Sequence, residues 1–257
     1  HNPESLMRSM LVAAIALLCA ALPARADWPL DKMNAQIDAT SVIVSGICSG
    51  TIIDMAERLV LTAHHCVEGN LREVEKREVD PKTGEIKTKK VQEATPMYIE
   101  TWSRFDYAVT GSKKQEAKLV GDDPLTDVAL LQVVDTTWKP EAAAPFAPDD
   151  YNYQRGQVVF AVGNPGIEFD NSITTGIISA PARRLTFDEK LKDIPLFQHS
   201  ANTIGGNSGG AIYNGDGQLI GTVTGGVRGA DISLAVPIAF SKALIRKAGF
   251  GKILKAK

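Results

Sequence analysis

Gly205-Gly206-Asn207-Ser208-Gly209-Gly210 sets a single serine among glycines. Glycine admits backbone angles closed to other residues and leaves neighbouring N–H groups uncovered. A hydroxyl on such a turn beside bare N–H groups suits a nucleophile and an oxyanion site. The same composition also builds ordinary turns, so its meaning depends on what the rest of the chain supplies. Two upstream segments supply it. In Leu61-Thr62-Ala63-His64-His65-Cys66-Val67 an apolar, β-branched run stops at a histidine beside a cysteine. In Asp123-Pro124-Leu125-Thr126-Asp127 an acid stands at the mouth of the apolar run Val128-Ala129-Leu130-Leu131-Gln132-Val133. A serine hydroxyl is a poor nucleophile near neutral pH unless a base takes its proton and an acid holds that base in the right tautomer. Histidine, aspartate and serine, in that order along the chain, meet these needs.

Around these segments the chain reads as short strands. Residues 29–39 suit a brief helix, and 41–44, 47–53, 59–62 and 127–134 are β-rich runs bounded by glycine and charge. The proline-rich stretch 139–148 looks like a linker. Beyond it, 157–163, 171–179, 196–200, 211–213, 218–224 and 233–236 form a second set of strands. Pro237 suits the first turn of a C-terminal amphipathic helix, with Ile238, Ala239, Leu244 and Ile245 on one side and Lys242, Arg246 and Lys247 on the other. Two groups of about six strands fit two small antiparallel β-barrels, 27–138 and 149–257, in an all-β fold with a terminal helix. His65 and Asp127 then belong to the first half and Ser208 to the second, so a site built from them lies in the crevice between halves. The run from Glu68 to Glu93 alternates acids and bases around Pro81-Lys82-Thr83-Gly84. It reads as an inserted hairpin, either an exposed ribbon or one that overhangs the crevice or meets a neighbouring subunit.

Composition narrows the function classes. A chain of 257 residues, 44% apolar and 23% charged, can bury one large core or two small ones. A net charge of -2 and a pI near 6.1 argue against a nucleic-acid partner, which needs a concentrated basic face. Arg8 precedes an apolar run, 10–22, that is short for a membrane span, and Ala24-Arg25-Ala26 offers the small residues a signal peptidase reads. Residues 1–26 therefore read as a secretory signal, with residues 1–6 ahead of a natural start at Met7, and with no stable membrane insertion after cleavage. An uncleaved anchor is the alternative. Removing Cys19 with the signal leaves Cys48 and Cys66, an even pair that in an exported protein reads as a disulfide, two buried thiols being the other reading. Without further paired ligands they make a poor zinc site, and no metal or cofactor is expected.

The chain resembles the trypsin/chymotrypsin-like serine proteases, and within them the bacterial Do/HtrA group. The resemblance rests on Leu61 to Cys66, Glu116 to Asp123 running into Thr126 to Leu131, Val162-Gly163-Asn164-Pro165, Thr175 to Ala180, and Gly205 to Gly210 followed by Leu219-Ile220-Gly221. It implies a chymotrypsin-like pair of six-stranded barrels and an endopeptidase acting on polypeptides through an acyl-enzyme, periplasmic or secreted. In the pattern Thr-Ala-x-His-Cys the histidine next to the cysteine is the base, so the resemblance assigns His65 as base, Asp127 as the acid that orients it and Ser208 as nucleophile. His64 and His199 are left as structural or surface residues, and Asp122 and Asp123 as turn acids. The oxyanion donors are the N–H groups of Gly206 and Ser208, and Cys48 pairs with Cys66.

Asn207 stands where the digestive enzymes carry an acid for a new N-terminal ammonium, so activation by N-terminal insertion is not expected. The first specificity pocket is expected from Asn202 and Thr203 at its base and from Thr224, Gly225 and Gly226 at its walls. These are neutral, which disfavours Lys or Arg before the cut and leaves small or medium apolar residues. The residues after Ile238 are too few for the PDZ domain many Do/HtrA proteins carry, so a bare protease domain is expected. The alternative is a catalytically silent member of the fold that binds peptides or acts as a chaperone.

Overall fold

Apolar side chains alternate along most strands between two buried surfaces, and that alternation builds the molecule. The computed structural model describes residues 28–69, 71–79, 81–105, 108–166, 169–185, 192–227 and 230–255; the expected signal 1–26, with Cys19, lies outside the described residues. Helix α1 (Leu30–Thr40) leads into β1 (Ser41–Val44), β2 (Cys48–Asp54) and β3 (Leu59–Thr62), and a 3-10 turn (His64–Cys66) follows. A two-stranded ribbon, β4 (Leu71–Val79) and β5 (Ile86–Ala94), precedes the long hairpin β6 (Met97–Phe105) and β7 (Ala108–Asp123), and then β8 (Val128–Val133). The second half holds β9 (Val158–Gly163), β10 (Ser172–Arg183), β11 (Leu196–His199), β12 (Ala211–Asn214), β13 (Leu219–Val227), β14 (Ile232–Pro237) and helix α2 (Ile238–Lys247). Strands close in the orders β1-β2-β3-β8-β7-β6 and β10-β11-β14-β13-β12-β9, two six-stranded antiparallel barrels as expected.

On β3 and β8, Val60 pairs with Leu131 and Leu61 with Leu130. Val60, Ala129 and Leu131 point into the first barrel with Val42, Val44 and Ile52. Leu59, Leu61, Val128 and Leu130 point the other way, into a cluster shared with Tyr213, Leu219 and Val236 of the second barrel and Ile238, Leu244 and Ile245 of α2. Phe197, Ile212, Ile220 and Ala235 fill the second barrel. Both faces of these strands are thus covered, which is why they read as continuous apolar runs. Met33 and Ile37, four apart on α1, join the shared cluster.

Four features differ from the sequence reading or refine it. The hairpin β6–β7 is absent from the expected strands. Its inward positions on β7 include Gln115 and Ala117, and Gly111-Ser112-Lys113-Lys114 carries no apolar side chain, so the period-2 signal is missing. The proline-rich stretch joins the barrels but is pinned to both: Ala144 N–H donates to Ile52, and Leu219 N–H to Pro145. The inserted segment is indeed a hairpin, leaving the first barrel after Gly69 and returning at Thr95, with Val79 opposite Ile86 at its end and both exposed.

Lys242, expected on the polar side of α2, is buried instead. Its Nζ donates to the Ala147 carbonyl and to Asp149 Oδ1, each at 2.6 Å, which fastens the helix to the segment ahead of the second barrel. Lys242→Met keeps the volume and removes the donors. It is expected to lower unfolding free energy by roughly 1–3 kcal/mol, read from the urea midpoint.

Candidate active site

The 3-10 turn after β3 ends in Cys66, whose disulfide to Cys48 at the start of β2 spans a Cα–Cα distance of 6.0 Å. The link closes an 18-residue separation, worth about 3 kcal/mol in the chain-entropy account. It also fixes the turn that carries His65. The His65 ring Nδ1 lies 2.9 Å from Asp127 Oδ2 and 3.0 Å from Oδ1, and the His65 backbone N–H donates to Oδ1 at 3.0 Å. Asp127 reaches this position from the β7–β8 connection in a left-handed conformation, φ 53°. A proton on Nδ1 facing a carboxylate leaves Nε2 as the basic nitrogen. Burial pushes the Asp127 carboxyl up, but the hydrogen bonds and charge of His65, with the Thr224 hydroxyl, outweigh burial and hold it below its ordinary range.

Ser208 sits on the connection between β11 and β12. Its carbonyl accepts the Ser49 N–H at 2.8 Å and lies 3.6 Å from Cys66 Sγ. A His65 ring nitrogen lies within 4.8 Å of both disulfide sulfurs. The disulfide therefore lies between the histidine turn of one barrel and the serine turn of the other, and its sulfurs are spent as ligands. Gly206 has φ +100°, and a Cβ there would overlap the Asn164 carbonyl. Its own carbonyl accepts Ser49 Oγ at 2.7 Å, and Gly166 N–H holds the Gly205 carbonyl at 2.8 Å. Among the described residues no protein acceptor takes the N–H of Gly206 or of Ser208. Two donors thus stand open on the turn that bears the hydroxyl.

A cavity of about 610 Å³ opens at Ser208, bordered by Asn202, Thr203, Val223, Gly225 and Gly226, and none of the described residues that line it is charged. Four of the five expected pocket residues are there. Thr224 is not: alternation along β13 turns Val223 toward the cavity and sends the Thr224 hydroxyl to Asp127 Oδ2. Thr203 closes the base, its hydroxyl donating to Ser233 Oγ at 2.9 Å.

The sequence reading missed the partners that hold these groups in place. Ser49 Oγ, besides bonding Gly206, accepts the Asn164 N–H at 2.8 Å. His64, left as a structural residue, places Nδ1 2.7 Å from Asp122 Oδ1, so Asp122 is the hydrogen-bond partner of the His64 ring while Asp123 caps the turn through the Leu125 N–H. The small, polar run Cys48-Ser49-Gly50 opening a buried strand and the doubled histidine were the available signals.

The pattern of the trypsin-like peptidase domain matches residues 48–221. The chain belongs to the trypsin-like peptidase family. Within it the chain is similar to Do/HtrA proteins: it is 40% identical over 129 residues to a probable periplasmic serine endoprotease, DegP-like, of Pseudomonas putida strain W619, covering 48% of this chain and 25% of that protein. It is 37% identical over 123 residues to the serine protease Do-like HtrA of Lactococcus lactis subsp. lactis, covering 46% and 29%. This trypsin-like chain spans about a quarter of the length of the curated relatives it matches. Its fold is that of an HtrA-type protease solved with a tripeptide, TM-score 0.61 at 24% identity, covering 84% of this chain and 62% of that one. It is also that of the serine endoprotease from Yersinia pestis, TM-score 0.59 at 24% identity over 88% and 67%.

His199 is fully buried on β11, and among the described residues neither ring nitrogen makes a well-aligned hydrogen bond, the Ala201 backbone being the polar group that opposes the effect of burial. Burial lowers its pKa to about 4 from 6.5. Between those values the unfolded chain binds the proton and the folded one does not, so folding stability rises as pH rises through that window. The wild type is expected to lose stability from pH 6.5 toward pH 4, by about 3 kcal/mol at the limit. His199→Leu should flatten that slope in urea titrations at stepped pH.

Proposed function

We propose that this chain is a serine endopeptidase. Ser208 Oγ attacks the carbonyl of a peptide bond while His65 Nε2 takes its proton. Asp127, bonded to Nδ1, fixes the ring and stabilises the imidazolium that forms. The tetrahedral oxyanion is received by the N–H groups of Gly206 and Ser208. His65 then passes its proton to the leaving amine. The acyl-enzyme on Ser208 is released by water, activated by the same histidine. The observation that carries this reading is the His65–Asp127–Thr224 clamp standing across the disulfide from a serine turn with two open N–H donors.

The wider assignments follow from the same residues. The cavity at Ser208, with Asn202, Thr203, Gly225 and Gly226, favours small or medium apolar side chains before the cut, because a buried Lys, Arg or Glu would find no charged partner among the described residues that line it. Asn207 offers no charge for a new N-terminus, so the oxyanion turn is set without propeptide removal. The curated relatives named periplasmic, together with the disulfide, support export to the periplasm or beyond. Polypeptides are the substrates.

A fluorophosphonate probe, which reacts only with an activated serine, should label the folded protein at Ser208, and Ser208→Ala should abolish both labelling and hydrolysis of an unstructured protein while unfolding normally. A folded wild type that does not label would remove the assignment. In a digest of a peptide library, cuts should follow Ala, Val or similar residues; cuts concentrated after Arg or Glu would refute the neutral pocket.

A further inference from the structure

We propose that His64 and Asp122 are a positioning pair for the His65–Asp127 couple, an inference that rests on the serine-endopeptidase reading above. Two consecutive histidines occupy a three-residue 3-10 turn, and two acids bracket the single connection between β7 and β8. Each acid takes one histidine: Asp122 bonds the His64 ring at 2.7 Å, and Asp127 bonds the His65 ring at 2.9 Å. Asp122 is the anchored member, because it lies in the β7–β8 ladder opposite Ala129. Asp127 lies beyond the ladder, in a left-handed conformation on the connection itself. The His64–Asp122 bond therefore ties the histidine turn to the rigid end of the sheet, at the point from which the Asp127 connection departs.

Packing holds the flanks of this turn, Ala63, Cys66 and Val67 being buried in the first-barrel core. His64 itself borders a cavity of about 750 Å³ walled by Val67, Met97 and Leu119, whose lining shares no residue with the Ser208 cavity. A turn this short has few bonds of its own, the His64 carbonyl taking the N–H groups of Val67 and Glu68. Among its other restraints are the Cys66 disulfide, the His65 N–H and ring to Asp127 and the His64 ring to Asp122. The pair is sheltered, with side-chain exposures of 12% and 31%, so water competes less for its hydrogen bond than at a fully exposed pair. Because His64 lines that separate cavity and not the one at Ser208, and its Nδ1 is engaged by Asp122, it acts through His65. Misplacing a catalytic group by about 1 Å can cost on the order of a hundredfold in rate, so a restraint of this kind has room to matter.

The test uses the folded protein with its disulfide intact and a peptide it hydrolyses. His64→Ala is expected to lower kcat and the fluorophosphonate labelling rate about tenfold or more, with KM changed less than about twofold. His64→Asn should restore most of the loss, because its amide nitrogen stands as many bonds from Cβ as the histidine Nδ1 and can donate to Asp122. Loss of packing alone would not be rescued in this way. An His64→Ala variant with wild-type kcat, or a folded His64→Asn no better than His64→Ala, would overturn the pair's role. If His64→Ala does not fold, Asp122→Ala is measured instead: the same selective fall in kcat supports the pair, and an unchanged kcat refutes it. A wild type that neither labels nor cleaves removes the protease reading and this role with it, whereas a labelling wild type with unaffected variants removes the positioning role alone.

Discussion

The carboxylate of Asp127 draws hydrogen bonds from both halves of the molecule. The ring and backbone of His65 approach it from the first barrel, and the Thr224 hydroxyl comes from β13 of the second. A carboxylate only 5% exposed forfeits most of its hydration, a cost of several kcal/mol unless donors replace the lost water. The donors arrive only if the barrels close, dock and present these residues at their shared edge. Burial and hydrogen bonding thus act on the same group with opposite sign, and the depressed pKa shows that the hydrogen bonds prevail.

The serine turn is held with comparable economy. Ser49, one residue past the cysteine that forms the disulfide, bonds the carbonyls of Ser208 and Gly206 through its N–H and hydroxyl. A strand of the first barrel thereby shapes a loop of the second, leaving the N–H groups beside the hydroxyl unoccupied. Glycine is required at 206 on two counts, its φ of +100° and the Asn164 carbonyl that a Cβ would strike.

Much of this was legible in the residues themselves. Strands covered on both faces announced themselves as apolar runs, and the order of histidine, aspartate and serine across the two halves located the crevice. What stayed hidden had physical causes. β7 carries Gln115 and small residues at inward positions, so its alternation does not show as hydrophobicity. Thr224 was read as a wall because a run of Thr-Gly-Gly does not reveal which way one side chain turns; the pleat gave that place to Val223. The bond between His64 and Asp122 joins residues far apart in the chain, and each looks unremarkable beside a more obvious neighbour. Lys242 sat correctly on a helical wheel but inside the protein, because a buried carbonyl and Asp149 were waiting for its ammonium.

The cluster between the barrels has a mechanical consequence. Leu59, Leu61, Val128 and Leu130 belong to first-barrel strands yet spend their outward faces on Tyr213, Leu219, Val236 and α2. Separating the halves would expose that apolar surface on both sides at once, and each strand would keep only its inner face covered. The barrels therefore behave as one cooperative unit and not as hinged lobes. The crevice thus rests on a shared apolar core, and the backbone that frames Ser208 takes its position from both barrels.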